Sequence, residues 1–188
     1  SWTGSYLDER VEKLYEELVN VKWNLVLFVP EGGYLTVKDR IGTNKNITLY
    51  SYPVRTTYQI NPYYRATMIA RKIVPPLICN ANLVSIWISL MSKCRMIHLY
   101  GLDSDGFKQI NTDQKTNELS TGLLHFYDNK YIPEKKNTSN PKMLYQRFEQ
   151  TFKMFKEFHV ISIVSYILKI KIINSGNFSM LDNFDRKE

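Results

Sequence analysis

The sequence predicts an α/β fold, a mainly parallel sheet flanked by helices with a lid-like polar segment over residues 104–141. Three observations carry this. Short apolar runs ended by proline or glycine alternate with stretches of helical periodicity. The segment 82–93 is apolar nearly all round, as in a helix sandwiched inside a protein. Residues 104–141 are polar and rich in Asn, Asp and Lys, and a loop of that length in a compact domain points to function or disorder. Function is the preferred reading, because open α/β sheets bind ligands outside the carboxyl ends of their strands and the segment begins at such an end.

The elements follow in order. Leu7, Val11, Leu14 and Leu18 repeat at helical spacing over 5–20, with Ser5 as cap and Asp8 and Glu9 near the positive helix end. Trp23 to Val29 is an apolar run stopped by Pro30, hence a buried strand, and Gly32-Gly33 marks a loop. Ile47 to Tyr52 is a second strand, stopped by Pro53. The Tyr-rich stretch 58–73 is helical after Pro62 and is broken by Pro75-Pro76. The buried helix 82–93 feeds the strand Met96 to Tyr100, closed by Gly101-Leu102-Asp103. A helix runs from Pro141 to Phe158 with Leu144, Phe148, Phe152 and Phe155 on one face. A second helical stretch, 160–168, precedes the strand Ile170 to Asn174, and 175–188 is a loop.

Composition bounds the function. The 188 residues suffice for one domain, 1–188, and 44% hydrophobic residues suffice for a core. The net charge of +7 favours an anionic partner: a nucleotide, an anionic glycan or a phospholipid surface. The basic residues are scattered in pairs such as Arg71-Lys72 and Lys135-Lys136, which argues against nucleic acid. Cys79 and Cys94 lie in apolar company and are expected as buried free thiols, with no metal or disulfide spacing. The opening residues do not read as a signal peptide, and no apolar run approaches a membrane span. A soluble cytoplasmic protein is expected, free or resting on the inner membrane surface, and a homo-oligomer is allowed. The sequons at Asn46, Asn137 and Asn177 are read as chance matches.

Three stretches carry a resemblance. They are Cys79-Asn80-Ala81-Asn82 with the helix and strand ending in Gly101-Leu102-Asp103; Leu124-His125-Phe126-Tyr127-Asp128; and Leu168 to Ser175. In that order and spacing they resemble the bacterial sialyltransferases of glycosyltransferase family 42 and their relatives in capsule and O-antigen gene clusters. The strong part spans roughly 77–130. The resemblance implies a Rossmann-like, GT-A-variant-like fold. It implies transfer of a sugar from a cytidine-monophosphate-activated donor to a cell-surface glycan acceptor, with no further cofactor. The family's glycine-rich turn has no counterpart here, so the chain is expected to be a C-terminal part or a degenerate, non-catalytic homologue.

Transfer from such a donor requires the acceptor hydroxyl to lose a proton while the leaving phosphate is stabilised. The resemblance places the base at His125, and an imidazole titrating near neutrality suits that task. Its plainer alternative is a loop His stacked on Phe126 or Tyr127. Asn80 and Asn82 would hold a carboxylate or phosphate at the helix start, or, for Asn82, simply cap it. Asp103 and Ser104 would bond a nucleotide or sugar hydroxyl, or shape a turn. Tyr127 would bond the donor phosphate, or cover the core edge. Asn174 and Ser175 match the family's cytidine contact. His98 is expected as a hydrogen-bonded core residue, and His159 at the negative end of the helix it follows. Asp103-Ser104-Asp105 resembles an Asp-x-Asp motif, but no metal site is expected.

Overall fold

The structure is a computed structural model that describes residues 5–42, 44–54, 61–104, 106–112, 115, 119–121, 144–176 and 179–186. The chain divides into two compact units, Ser1–Arg55 and Thr56–Glu188, where the sequence reading treats 1–188 as one domain.

In the first unit, α1 (Ser5–Val19) leads into β1 (Leu25–Pro30), a 3-10 turn (Glu31–Gly33), α2 (Tyr34–Ile41) and β2 (Ile47–Tyr52). Gly32-Gly33 therefore opens a helix, where a loop is expected. The strands pair in parallel, Leu25 opposite Ile47 through Pro30 opposite Tyr52. Asn44 and Asn46 stitch the turn before β2 to the end of α1. The Asn44 amide donates to the carbonyls of Leu18, Val19 and Val21 at 3.0–3.1 Å, and the Asn46 amide donates to Val21 at 2.9 Å. Leu18 and Val19 close α1 and Val21 lies just beyond it, where backbone acceptors lack intrahelical donors.

The second unit runs α3 (Pro62–Ala70), α4 (Ala81–Met91), β3 (Met96–Leu99), a 3-10 turn (Gly106–Gln109), β4 (Ile110–Thr112), β5 (Leu119–Thr121), α5 (Leu144–Leu168), β6 (Lys171–Asn174) and β7 (Asp185–Arg186). Asn61 caps α3, accepting from the amides of Tyr63 and Tyr64, with Pro62 at the first helical position where its missing N–H costs nothing. The sheet order is β3-β6-β7, all parallel, with Met96 opposite Lys171 and Leu99 opposite Asn174. Where one mainly parallel sheet is expected, the chain is a mixed α/β structure with small parallel sheets flanked by helices. A short antiparallel pair, β4 with β5, falls inside the expected polar lid.

Helix α5 is one continuous 25-residue helix, where two helical stretches are expected. No Gly or Pro interrupts it, so nothing breaks the hydrogen-bond ladder near His159. Its C-terminal half supplies the core: Phe158, Val160, Ile161 and Val164 are fully buried against Ala66 and Ile69 of α3, Leu83, Ile86 and Leu90 of α4, and Ile172 of β6. Each such side chain stabilises the fold by roughly 1.5–3 kcal/mol relative to exposure.

Helices α3, α4 and α5 end in the same way. Lys72, Lys93 and Lys169 adopt left-handed φ of 61°, 58° and 57°. The amide after each reaches back to a carbonyl in the preceding turn: Ile73 to Met68 (2.9 Å), Cys94 to Ser89 (3.3 Å) and Ile170 to Ser165 (3.0 Å). This is the Schellman closure, here with lysine at the position usually given to glycine.

Candidate functional site at the carboxyl edge of the parallel sheet

The parallel pairing of β3 with β6 sets the ends of both strands at one edge. Their loops are bonded together there. The Ser175 amide donates to Leu99 O (2.9 Å), the Met180 amide to Asp103 O (2.8 Å), and the Ser179 hydroxyl to Leu102 O (2.6 Å). Gly101 (φ 62°) and Ser104 (φ 53°) turn the chain through left-handed conformations on either side of Leu102-Asp103. Glycine adopts this at no steric cost, while Ser104 holds it against one. Arg186 clamps the facing loop, donating to Ser179 O (2.6 Å) and Gly176 O (3.4 Å).

Four of the expected site residues meet at this edge. Asp103 is exposed, and Ser104 and Ser175 are partly exposed, so their side chains are open to a ligand. Asn174 is not: it is 2% exposed, its amide donating to Leu181 O (3.1 Å) and its carbonyl oxygen accepting from the Gly176 amide (3.2 Å). It shapes the loop from inside.

Asn80 caps α4, its side chain accepting from the Leu83 amide at 2.9 Å, while Asn82 lies exposed in the first turn. The capping role considered for Asn82 therefore belongs to Asn80. His125 and Tyr127 lie outside the described residues.

His98 is exposed on the edge strand β3, which corrects its expected place in the core. Its Nδ1 lies 3.4 Å from Ser175 Oγ and its Nε2 3.1 Å from Met96 Sδ, and its ring stacks on Tyr100 at 6.2 Å and 19°. His159 lies inside α5, edge-on to Tyr63, and not at a helix end, because the helix runs past it. Cys79 and Cys94 are free thiols on exposed residues, not buried ones. Partial desolvation of the sulfur and the nearby Glu157 carboxylate still push the Cys79 thiol up. Among the described residues no group of three or more His, Cys, Asp or Glu is arranged to hold a metal, and no helix is long and apolar enough to cross a membrane.

Sequence reasoning missed one charged pair. Arg65 Nη2 of α3 meets Glu157 Oε1 of α5 at 2.6 Å, with side chains 2% and 0% exposed. The same oxygen accepts from the Leu77 amide at 2.7 Å. Desolvation raises the Glu157 pKa, with Arg65 and the Leu77 amide acting against it. The available signal was a carboxylate set among Phe155, Phe158, Val160 and Ile161, since a charge on an apolar helix face demands a partner.

Comparison with known proteins returns no similarity: no family model matches the chain, and neither does a curated protein or a solved structure.

Proposed function

We propose that the chain is a glycosyltransferase resembling the bacterial sialyltransferases, transferring a sugar from a cytidine-monophosphate-activated donor to a cell-surface polysaccharide or lipo-oligosaccharide acceptor. The observation that carries this reading is the convergence of Gly101-Leu102-Asp103-Ser104 and Ser175 on one carboxyl edge of a parallel sheet. Such edges are where open α/β sheets receive nucleotides. The finer fold, a Rossmann-like sheet of the GT-A-variant kind, belongs to the same proposal and draws on the parallel β3-β6-β7 order.

In this reading the Asp103 carboxylate accepts from a sugar or ribose hydroxyl, and the Ser104 and Ser175 hydroxyls bond donor oxygens. Asn82, exposed beside the amides of the α4 start, faces the anionic part of the donor. His125 as base and Tyr127 as phosphate partner rest on the resemblance alone. Calorimetric titration with cytidine monophosphate, followed by donor hydrolysis and transfer assays on the chain and on Asp103→Ala and His125→Ala, tests the proposal. Binding weakened about tenfold by Asp103→Ala, with turnover abolished by His125→Ala, is the expected result. Absence of any nucleotide binding sinks it.

One observation favours the alternative of a non-catalytic homologue. Asn174, at the family's cytidine contact, has its whole amide engaged in the loop interior. A folded chain that binds no donor would select that alternative.

A further inference from the structure

We infer that the amino edge of the β3-β6-β7 sheet is a docking surface for an anionic lipid bilayer. The turns from α4 into β3 and from α5 into β6 reach this edge side by side, because Met96 is in register with Lys171. They carry Lys93, Arg95, Lys169 and Lys171, all exposed. Lys171 reaches Asp185 at 3.5 Å, but the pair is more than half exposed and open to screening. Among the described residues none of Lys93, Arg95 or Lys169 has an acidic partner.

The acids have been kept away along the chain as well. Within the second unit, residues 56–102 contain five Lys or Arg and not one Asp or Glu, and 158–181 contain no acid either. The negative ends of α4 and α5 account for part of the preference for lysine at 93 and 169. They do not account for Arg95 or Lys171, which lie beyond the helices.

The apolar side chains at the same edge select the occupant. Tyr166 is 84% exposed, Met96 48% and Ile167 41%; Met96 directly follows Arg95, and Tyr166 and Ile167 lie just before Lys169. Basic side chains next to Tyr and aliphatic groups suit the headgroup boundary of an anionic membrane, where cations meet phosphate and apolar groups enter the interface. A nucleic-acid backbone would use the cations and leave Met96 and Ile167 without a role. The surface lies at the opposite end of the strands from the loops holding Asp103 and Ser175, so the inference does not depend on the proposed activity.

The left-handed lysines give a clean test. Lys93→Gly with Lys169→Gly removes two charges at positions where glycine is the easier residue, so the chain stays folded. Co-sedimentation is measured with vesicles of phosphatidylcholine alone and of phosphatidylcholine mixed with phosphatidylglycerol. The native chain is expected to bind only the mixed vesicles, less as salt rises. The double variant is expected to bind roughly thirtyfold more weakly, at about fivefold per charge. Tyr166→Ser is expected to weaken the binding that survives high salt. Equal binding of both chains, equal binding to both vesicles, or binding to a duplex oligonucleotide and to neither vesicle would overturn the inference.

Discussion

The guanidinium of Arg65 and the carboxylate of Glu157, 92 residues apart in the chain, meet at 2.6 Å in the core of the second unit and are cut off from water. The pair fixes α3 against α5 and, through the Leu77 amide, ties down the connection that leads to α4. Among the described residues Glu157 Oε2 and Arg65 Nε have no hydrogen-bond partner, so the desolvation cost is only partly offset. Removing one partner leaves the other charge buried. Arg65→Met is expected to destabilise the chain by about 3–5 kcal/mol. Arg65→Met with Glu157→Leu is expected to recover most of that, short of the lost acceptor for Leu77. Thermal and denaturant unfolding of the three chains check this, and a single variant as stable as the double contradicts it.

The same carboxylate gives a pH dependence. Burial raises the Glu157 pKa above its ordinary 4.5. The folded chain then holds this proton more tightly than the unfolded chain does. The stabilising contribution is full below the ordinary value and is lost as pH rises from there through the raised pKa. Unfolding free energies measured across that interval are expected to fall with pH for this group, and Glu157→Gln is expected to flatten that component.

Asn80 and Asn82 separate structural from ligand roles. Asn80→Ala removes the cap of α4 and is expected to cost about 0.5–2 kcal/mol. Asn82→Ala, at an exposed first-turn position, is expected to leave stability within about 0.5 kcal/mol while weakening any anion held at the helix start. Paired melting curves and nucleotide titrations read both.

Asn174→Ala breaks two buried hydrogen bonds, to Leu181 and Gly176, and leaves their backbone groups unpaired. A loss of about 2–4 kcal/mol is expected. Asn174→Asp is expected to be no better, because a carboxylate cannot donate to Leu181 O. Denaturant midpoints check both.

Lys72 holds a left-handed φ of 61° at the end of α3. Lys72→Gly is expected to stabilise the chain by about 1 kcal/mol, raising the melting temperature by roughly 3 °C. A lower melting temperature would show that the lysine side chain outweighs the backbone term.

Much of the fold was legible because the signals were local. Proline at 30 and 53 bounds the two strands of the first unit, and the heavily apolar helix before Met96 announces a buried element. Helix α2 was hidden because Gly32-Gly33 suggests a loop and Leu35 is 69% exposed, so the segment has little apolar stripe to read. His98 and both cysteines are exposed against expectation because apolar neighbours in sequence do not imply burial at a sheet edge, as for His98, or in the turns flanking α4, as for Cys79 and Cys94. The resemblance alone makes Asn174 a ligand contact; its burial depends on Leu181 and Gly176, a tertiary arrangement that no periodicity encodes.

The two parallel sheets differ in how far apart along the chain their partners lie. Leu25 and Ile47 are 22 residues apart, and Met96 and Lys171 are 75. Closing the longer loop costs about 1 kcal/mol more in chain entropy, before any strand contact rewards it. The first pairing is open to the nascent chain as soon as residue 52 is clear of the ribosome. The second must wait for residue 174, and until α5 is complete at residue 168 the apolar faces of α3 and α4 lack their main covering helix. That interval is when this polypeptide is most exposed to aggregation and most in need of a chaperone.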